Sequence, residues 1–235
     1  MATFEPIFAN LPDEPLAEWT ALRRFLGRWY GAALPAVGRV TRDVAGLEED
    51  LGRTLPTTVR EWLALTDDLA RAEHRDLRSL LRDGRSIAPL PEHDALSLNL
   101  QAEGDVHWAI PLAALDEADP PVHGYARDWN AAEERFGRAT WLDCASVTVF
   151  AFSFLLGYLR SANELRRRVE LAPIGEALGV EGFPLARLGS LAIAEGPGWV
   201  ALLESGGAFG RDPTVRVLLS DPDAVELPQA LAGLR

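Results

Sequence analysis

The chain has 235 residues, 48% hydrophobic and 25% charged, a globular balance that argues against disorder and allows folding to hide roughly 70% of the unfolded surface. A net charge of −12 repels phosphate backbones and speaks against nucleic acid as a partner, and the longest apolar run, residues 147–159, is shorter than the roughly 20 residues of a membrane span. One cysteine, Cys144, cannot close an internal disulfide, and 4 histidines leave little material for a zinc site, so the expectation is a cytoplasmic protein that needs no cofactor.

The opening residues have neither a basic nor a continuous apolar stretch, so no signal peptide is expected. From about Asp13, the positions Leu16, Trp19, Leu22, Leu26 and Trp29 recur every three or four residues and predict an amphipathic helix that Gly31 can stop. A second helix is expected over residues 41–51, with Val44, Leu47 and Leu51 inward, Glu48, Glu49 and Asp50 largely outward, and Gly52 just past its end. The third starts at LPTTVREWLAL, where Thr58 and Glu61 have the spacing of a capping box and Val59, Trp62 and Leu63 form the buried stripe. Arg71, Arg75, Arg78 and Arg82 then recur at helical spacing as a solvated basic face.

Around His93 the period changes. Leu96, Leu98 and Leu100 alternate with Ser97, Asn99 and Gln101, a turn follows at residues 102–105, and Val106, Trp108 and Ile110 resume the alternation. This predicts an antiparallel hairpin, half-buried, with Trp108 in the core and Pro111 at its end. Residues 141–168 read as one long, mostly buried helix with a basic C-terminus, Arg166, Arg167 and Arg168. After Pro173, the segments LGSLAIAE, WVALLES and TVRVLLS predict a three-stranded meander, with Ser205, Gly206 and Gly207 in a turn. The class is α+β: N-terminal helices on an antiparallel sheet, a long helix after the central hairpin, and a C-terminal β-meander, all in one domain over 1–235.

Catalytic signatures are missing from the sequence: it has no nucleophile elbow, P-loop, dinucleotide-binding glycine motif or H-E-x-x-H. Asp105 and His107 lie two apart on the second hairpin strand, facing away from Trp108. With Asp119 and His123 they are the candidates for a metal or acid–base site, against a bland reading as a solvated sheet face. Cys144 reads as a small buried residue and the seven tryptophans as packing. The span from Ser86 to Ala126 lacks arginine and carries Glu92, Asp94, Glu103, Asp105, Asp116, Glu117 and Asp119, an acidic surface that reads either as only solubilising or as a binding face for a basic partner.

The stretch FLGRWYGAALP followed by VAGLEEDLGRTLPTTVREWLAL resembles the start of the SUKH superfamily, in which an acidic helix ending in Leu-Gly leads through Leu-Pro into a second amphipathic helix. Glu48, Glu49, Leu51-Gly52, Leu55-Pro56, Val59, Trp62 and Leu63 carry that pattern here. The hairpin with Trp108, the Asp119-Pro120-Pro121-Val122 loop and the helix from about Asp143 are similar to later family features; where an Asn-Gly is common after the second helix, this chain has Asp67-Asp68. The resemblance covers roughly residues 20–165 and leaves about 173–235 as a strand-rich extension. It implies a non-enzymatic protein-binding module. Bacterial members are commonly immunity proteins that neutralise toxins, often nucleases, and the Smi/Knr-type yeast relatives are cell-wall regulatory hubs. The expected partner is therefore a basic toxin domain, met through Glu92, Asp94, Glu103, Asp105, Asp116 and Glu117. The alternatives are a cell-wall or signalling hub and, after it, a metal-assisted enzyme using Asp105, His107 and His123.

Overall fold

The computed structural model describes residues 4–9, 16–38, 40, 44–79, 87–100, 106–130, 135–159, 163–168, 171–188, 191–204, 213–220 and 226–232. Helices α1 (Ala17–Tyr30), α2 (Val44–Leu51), α3 (Thr57–Arg71) and α4 (Arg75–Ser79) come first. Strands β1 (Pro89–Leu90), β2 (Ala95–Leu100), β3 (Val106–Pro111), β4 (Val122–Asn130) and β5 (Arg135–Cys144) follow, then α5 (Val147–Gly157). The remainder is β6 (Asn163–Arg168), α6 (Leu171–Val180), β7 (Ala186–Leu188), β8 (Leu191–Gly196), β9 (Trp199–Glu204), β10 (Thr214–Leu219) and α7 (Gln229–Ala232). The class is α+β, with two antiparallel five-stranded sheets ordered β1-β2-β3-β4-β5 and β6-β10-β9-β8-β7.

Two compact units divide the chain, residues 32–155 and residues 1–31 with 156–235. The span of the family resemblance, roughly 20–165, crosses this division at both ends. In the unit of residues 32–155, α3 supplies the apolar stripe its spacing predicts, with Val59, Trp62, Leu63, Leu65 and Leu69 fully buried. Trp62 packs edge-on against Phe150 and Phe154 of α5, with ring centroids 5.3 and 6.0 Å away, and Trp108 of β3 lies 5.6 Å from Phe154. The predicted hairpin is present as β2 and β3, but it is not half-buried: Ser97 and Asn99 are each 1% exposed. A bulge between them takes Leu98 out of register with β3, and the Leu98 carbonyl accepts instead from the Trp62 indole at 3.1 Å.

Several local expectations are corrected. No capping box forms at α3: its N-cap is Pro56, and the Thr58 hydroxyl donates to the Ala118 carbonyl at 3.0 Å. Asp67 and Asp68 are buried within α3, and the arginine spacing is split because α3 ends at Arg71 and α4 starts afresh at Arg75; Arg82 lies outside the described residues. Glu48 turns inward, accepting the Leu55 N–H at 2.6 Å and pairing with Arg60. The expected long helix over 141–168 is a strand, a helix and a strand: residues 141–144 end β5, only Val147–Gly157 is helical, and Asn163–Arg168 pairs with β10. The three basic residues at 166–168 therefore occupy an edge strand and not a helix terminus.

In the other unit, α6 and α7 cover one face of the second sheet, where Leu178 and Leu231 pack with Ala192, Ala194, Trp199, Val215 and Val217. The predicted meander is β8-β9-β10, in regular register from Leu191↔Glu204 to Leu219↔Trp199. Helix α1 belongs to this same unit, capped at Gly31 with φ 63°, a left-handed conformation that glycine adopts without cost. A buried carboxylate, Glu195 of β8, ties the unit's two sequence segments together: it accepts the Phe8 N–H at 2.7 Å and pairs with Arg28 of α1. Burial raises the Glu195 pKa, against the opposing pull of the Phe8 N–H and Arg28.

Candidate interaction surface

The β2–β3 hairpin brings four of the acidic residues to one end. Ala95 pairs with Pro111, and the Leu112 N–H donates to the Asp94 carbonyl at 2.8 Å, so the 3-10 turn Pro91–His93 and the loop after β3 meet at one end of the hairpin. Glu92 and Asp94 come from the first of these loops, Asp116 and Glu117 from the second, and all four are exposed. Glu103 and Asp105 lie outside the described residues. Of the six expected binding residues, the described ones, Glu92, Asp94, Asp116 and Glu117, therefore gather at one end of the hairpin.

The carboxylates at the described end are not all alike. Asp94 has φ 49°, a left-handed conformation tolerated by Asp, and its backbone closes the turn. Asp116 lies 3.7 Å from Arg53, whose guanidinium also donates to the Leu112 carbonyl at 2.8 Å. A distant arginine thus folds against an acidic span that lacks arginine in sequence. Both side chains of this pair are substantially exposed, so it screens Asp116 without fixing it. Asp119 is committed elsewhere: its carboxylate accepts the Thr148 N–H at 3.1 Å in the first turn of α5, beside the Ser146 hydroxyl on the Val149 N–H at 3.2 Å.

The face of the sheet opposite Trp108 collects the imidazoles. His107 is registered opposite Tyr125 and Ala109 opposite His123, which puts all four on one face, with Ser97 opposite Ala109 on the other side. His93, from the acidic 3-10 turn, brings its ring to 4.8 Å from Tyr125, and His123 stacks at 6.3 Å from the same ring. Burial lowers the His107 pKa below 6.5, with His93 adding to the effect and Glu92 opposing it; burial alone lowers His123. Burial and then Asp94 raise Tyr125.

His107 and His123, singled out from the sequence, do share a face, whereas Asp105 lies outside the described residues and Asp119 caps α5. Among the described residues no group of three or more His, Cys, Asp or Glu is placed to hold a metal ion. The Ser97 hydroxyl and His107 Nδ1 are buried with no hydrogen-bond partner among the described residues, so these two do not form a Ser–His pair. Sequence reasoning missed His93, Tyr125 and Arg53. Continuing the strand alternation through residues 122–125 would have placed Tyr125 beside the histidines; nothing local in sequence marks Arg53.

Fold and surface together define an α+β protein of two antiparallel sheets, one of which presents an acidic loop end beside a histidine–tyrosine face. No protein-family model, curated protein or solved structure matches the chain.

Proposed function

We propose that the chain is a non-enzymatic protein-binding module of the SUKH type, an immunity protein that neutralises a basic toxin domain, with the acidic end of the β2–β3 hairpin as its docking surface. The observation that carries this reading is the convergence of Glu92, Asp94, Asp116 and Glu117, all exposed, from two loops joined by the Leu112–Asp94 hydrogen bond. Four carboxylates at one end of the hairpin, in a chain of net charge −12, attract a cation-rich surface, such as the substrate-binding side of a nuclease. At physiological salt their field decays over about 8 Å, so it steers encounter more than it sets the final affinity.

The test starts with capture of the partner from the native host and its identification by mass spectrometry; a partner with no toxin domain would favour the regulatory-hub alternative. Association of that partner is then timed over a series of ionic strengths. The variant Glu92→Arg, Asp94→Arg, Asp116→Arg, Glu117→Arg should slow association at least about tenfold and flatten its salt dependence, within the range of electrostatic steering. Unaltered kinetics in a folded variant would move the interface elsewhere.

A further inference from the structure

The unit of residues 1–31 and 156–235 encloses an open cavity of about 190 Å³. Phe25 and Trp29 of α1, stacked at 5.7 Å, line it together with Trp199 of β9, and the Gly196-Pro197-Gly198 turn closes it from the sheet side. Phe4 contributes from the N-terminal segment and Ser220 from the exposed rim. We propose that this cavity binds a single-ring aromatic molecule bearing an uncharged hydrogen-bond acceptor.

Size and wall chemistry set the ring. An engineered apolar cavity of about 150 Å³ takes up benzene, and aromatic side chains prefer to contact further rings. The glycines let the turn pack closely against the Trp199 indole. A Cβ at Gly196 would fall inside the Trp199 indole, and Gly198 sits at φ 78°, so side chains are disfavoured at both positions.

The polar groups set the acceptor. Arg28 lines the cavity with its side chain 38% exposed. Its guanidinium lies over the Phe4 ring, 4.8 Å from the centroid, donates to the Glu5 carbonyl at 2.8 Å and pairs with Glu195. Among the described residues these bonds use two of its five N–H donors, so donors remain for a ligand. Charge, by contrast, is already balanced. The Glu195 side chain is 2% exposed and its carboxylate accepts from the Phe8 and Ile7 backbones and from Arg28. A carboxylate in the cavity would meet a neutralised guanidinium with another carboxylate behind it, and an ammonium would meet a carboxylate that is almost wholly buried and already paired with Arg28. A neutral carbonyl or amide oxygen needs only one spare N–H.

Benzamide is the probe, with toluene lacking the acceptor and benzoate carrying the charge as comparators. The full-length chain is titrated while the indole N–H resonances of Trp29 and Trp199 are followed by NMR. Benzamide should shift them saturably, toluene and benzoate should bind at least about tenfold more weakly, and Ser220→Phe, which fills the cavity from its exposed rim, should abolish the shift. Pro197→Phe is an independent block should Ser220→Phe fail to fold. The proposal is overturned if benzamide gives no saturable shift, if toluene or benzoate binds as tightly, or if a folded blocking variant binds benzamide undiminished.

Discussion

Replacing Trp62 by Phe tests how the unit of residues 32–155 is held together. The Trp62 side chain is fully buried, and its indole N–H is the donor that the β2 bulge leaves to the Leu98 carbonyl. Phenylalanine keeps one ring against Phe150 and Phe154 but removes the donor. A buried acceptor left unsatisfied costs about 1–3 kcal/mol. Trimming the smaller ring adds about 1–2 kcal/mol, below the 3–5 kcal/mol typical of full truncation to alanine. The sum, about 2–5 kcal/mol, should lower amide-exchange protection in β2 and β3 by roughly 30-fold to several thousand-fold, at 1.4 kcal/mol per decade. Hydrogen–deuterium exchange read on peptides 95–100 and 106–111 is the assay. Phe154→Leu, which trims the same cluster without touching that hydrogen bond, should cost about 1–1.5 kcal/mol. A Trp62→Phe loss no larger than that of Phe154→Leu would refute the argument that the bulge depends on the indole donor.

Three further outcomes are expected. His107 and His123 have pKa values lowered by burial, so between the unfolded value of 6.5 and the folded values the unfolded chain binds more protons; stability should fall as pH drops through that window and level off below it, and His107→Asn with His123→Asn should flatten the melting temperature against pH. Asp119→Ala removes one of two side-chain caps on α5 and should cost about 1 kcal/mol, a fall of about 2–4 °C in thermal unfolding; no change would mean that Ser146 alone suffices. Gly179→Ala, in α6 with nothing within 4 Å of the added methyl, should stabilise by about 0.5–1 kcal/mol, while Gly196→Ala should destabilise because its Cβ meets the Trp199 indole; equal melting temperatures for the two would contradict the packing described.

The sequence by itself determined the elements whose pattern is local. Helices α1 and α3 follow from apolar residues at helical spacing, and β2, β3 and β8–β10 follow from alternation or from apolar runs between turns, because each needs only one buried stripe or face. It also placed His107 away from Trp108, since strand parity is fixed within a few residues. Only the tertiary structure decided the rest. Residues 141–168 divide into strand, helix and strand because β5 pairs with β4, and β6 with a β10 about fifty residues later, and pairings with other strands are not written in the segment's own periodicity. Ser97 and Asn99 look solvated in an alternating strand but are covered on both faces. The same holds for the sites. The sequence supplied the acidic residues, but only the hairpin geometry drew Glu92, Asp94, Asp116 and Glu117 to one end and brought Arg53 against Asp116. Glu195 reads as an ordinary residue near the end of a strand; it is a buried hub because Arg28 reaches it from 167 positions away, and a buried carboxylate needs a partner that local sequence cannot reveal.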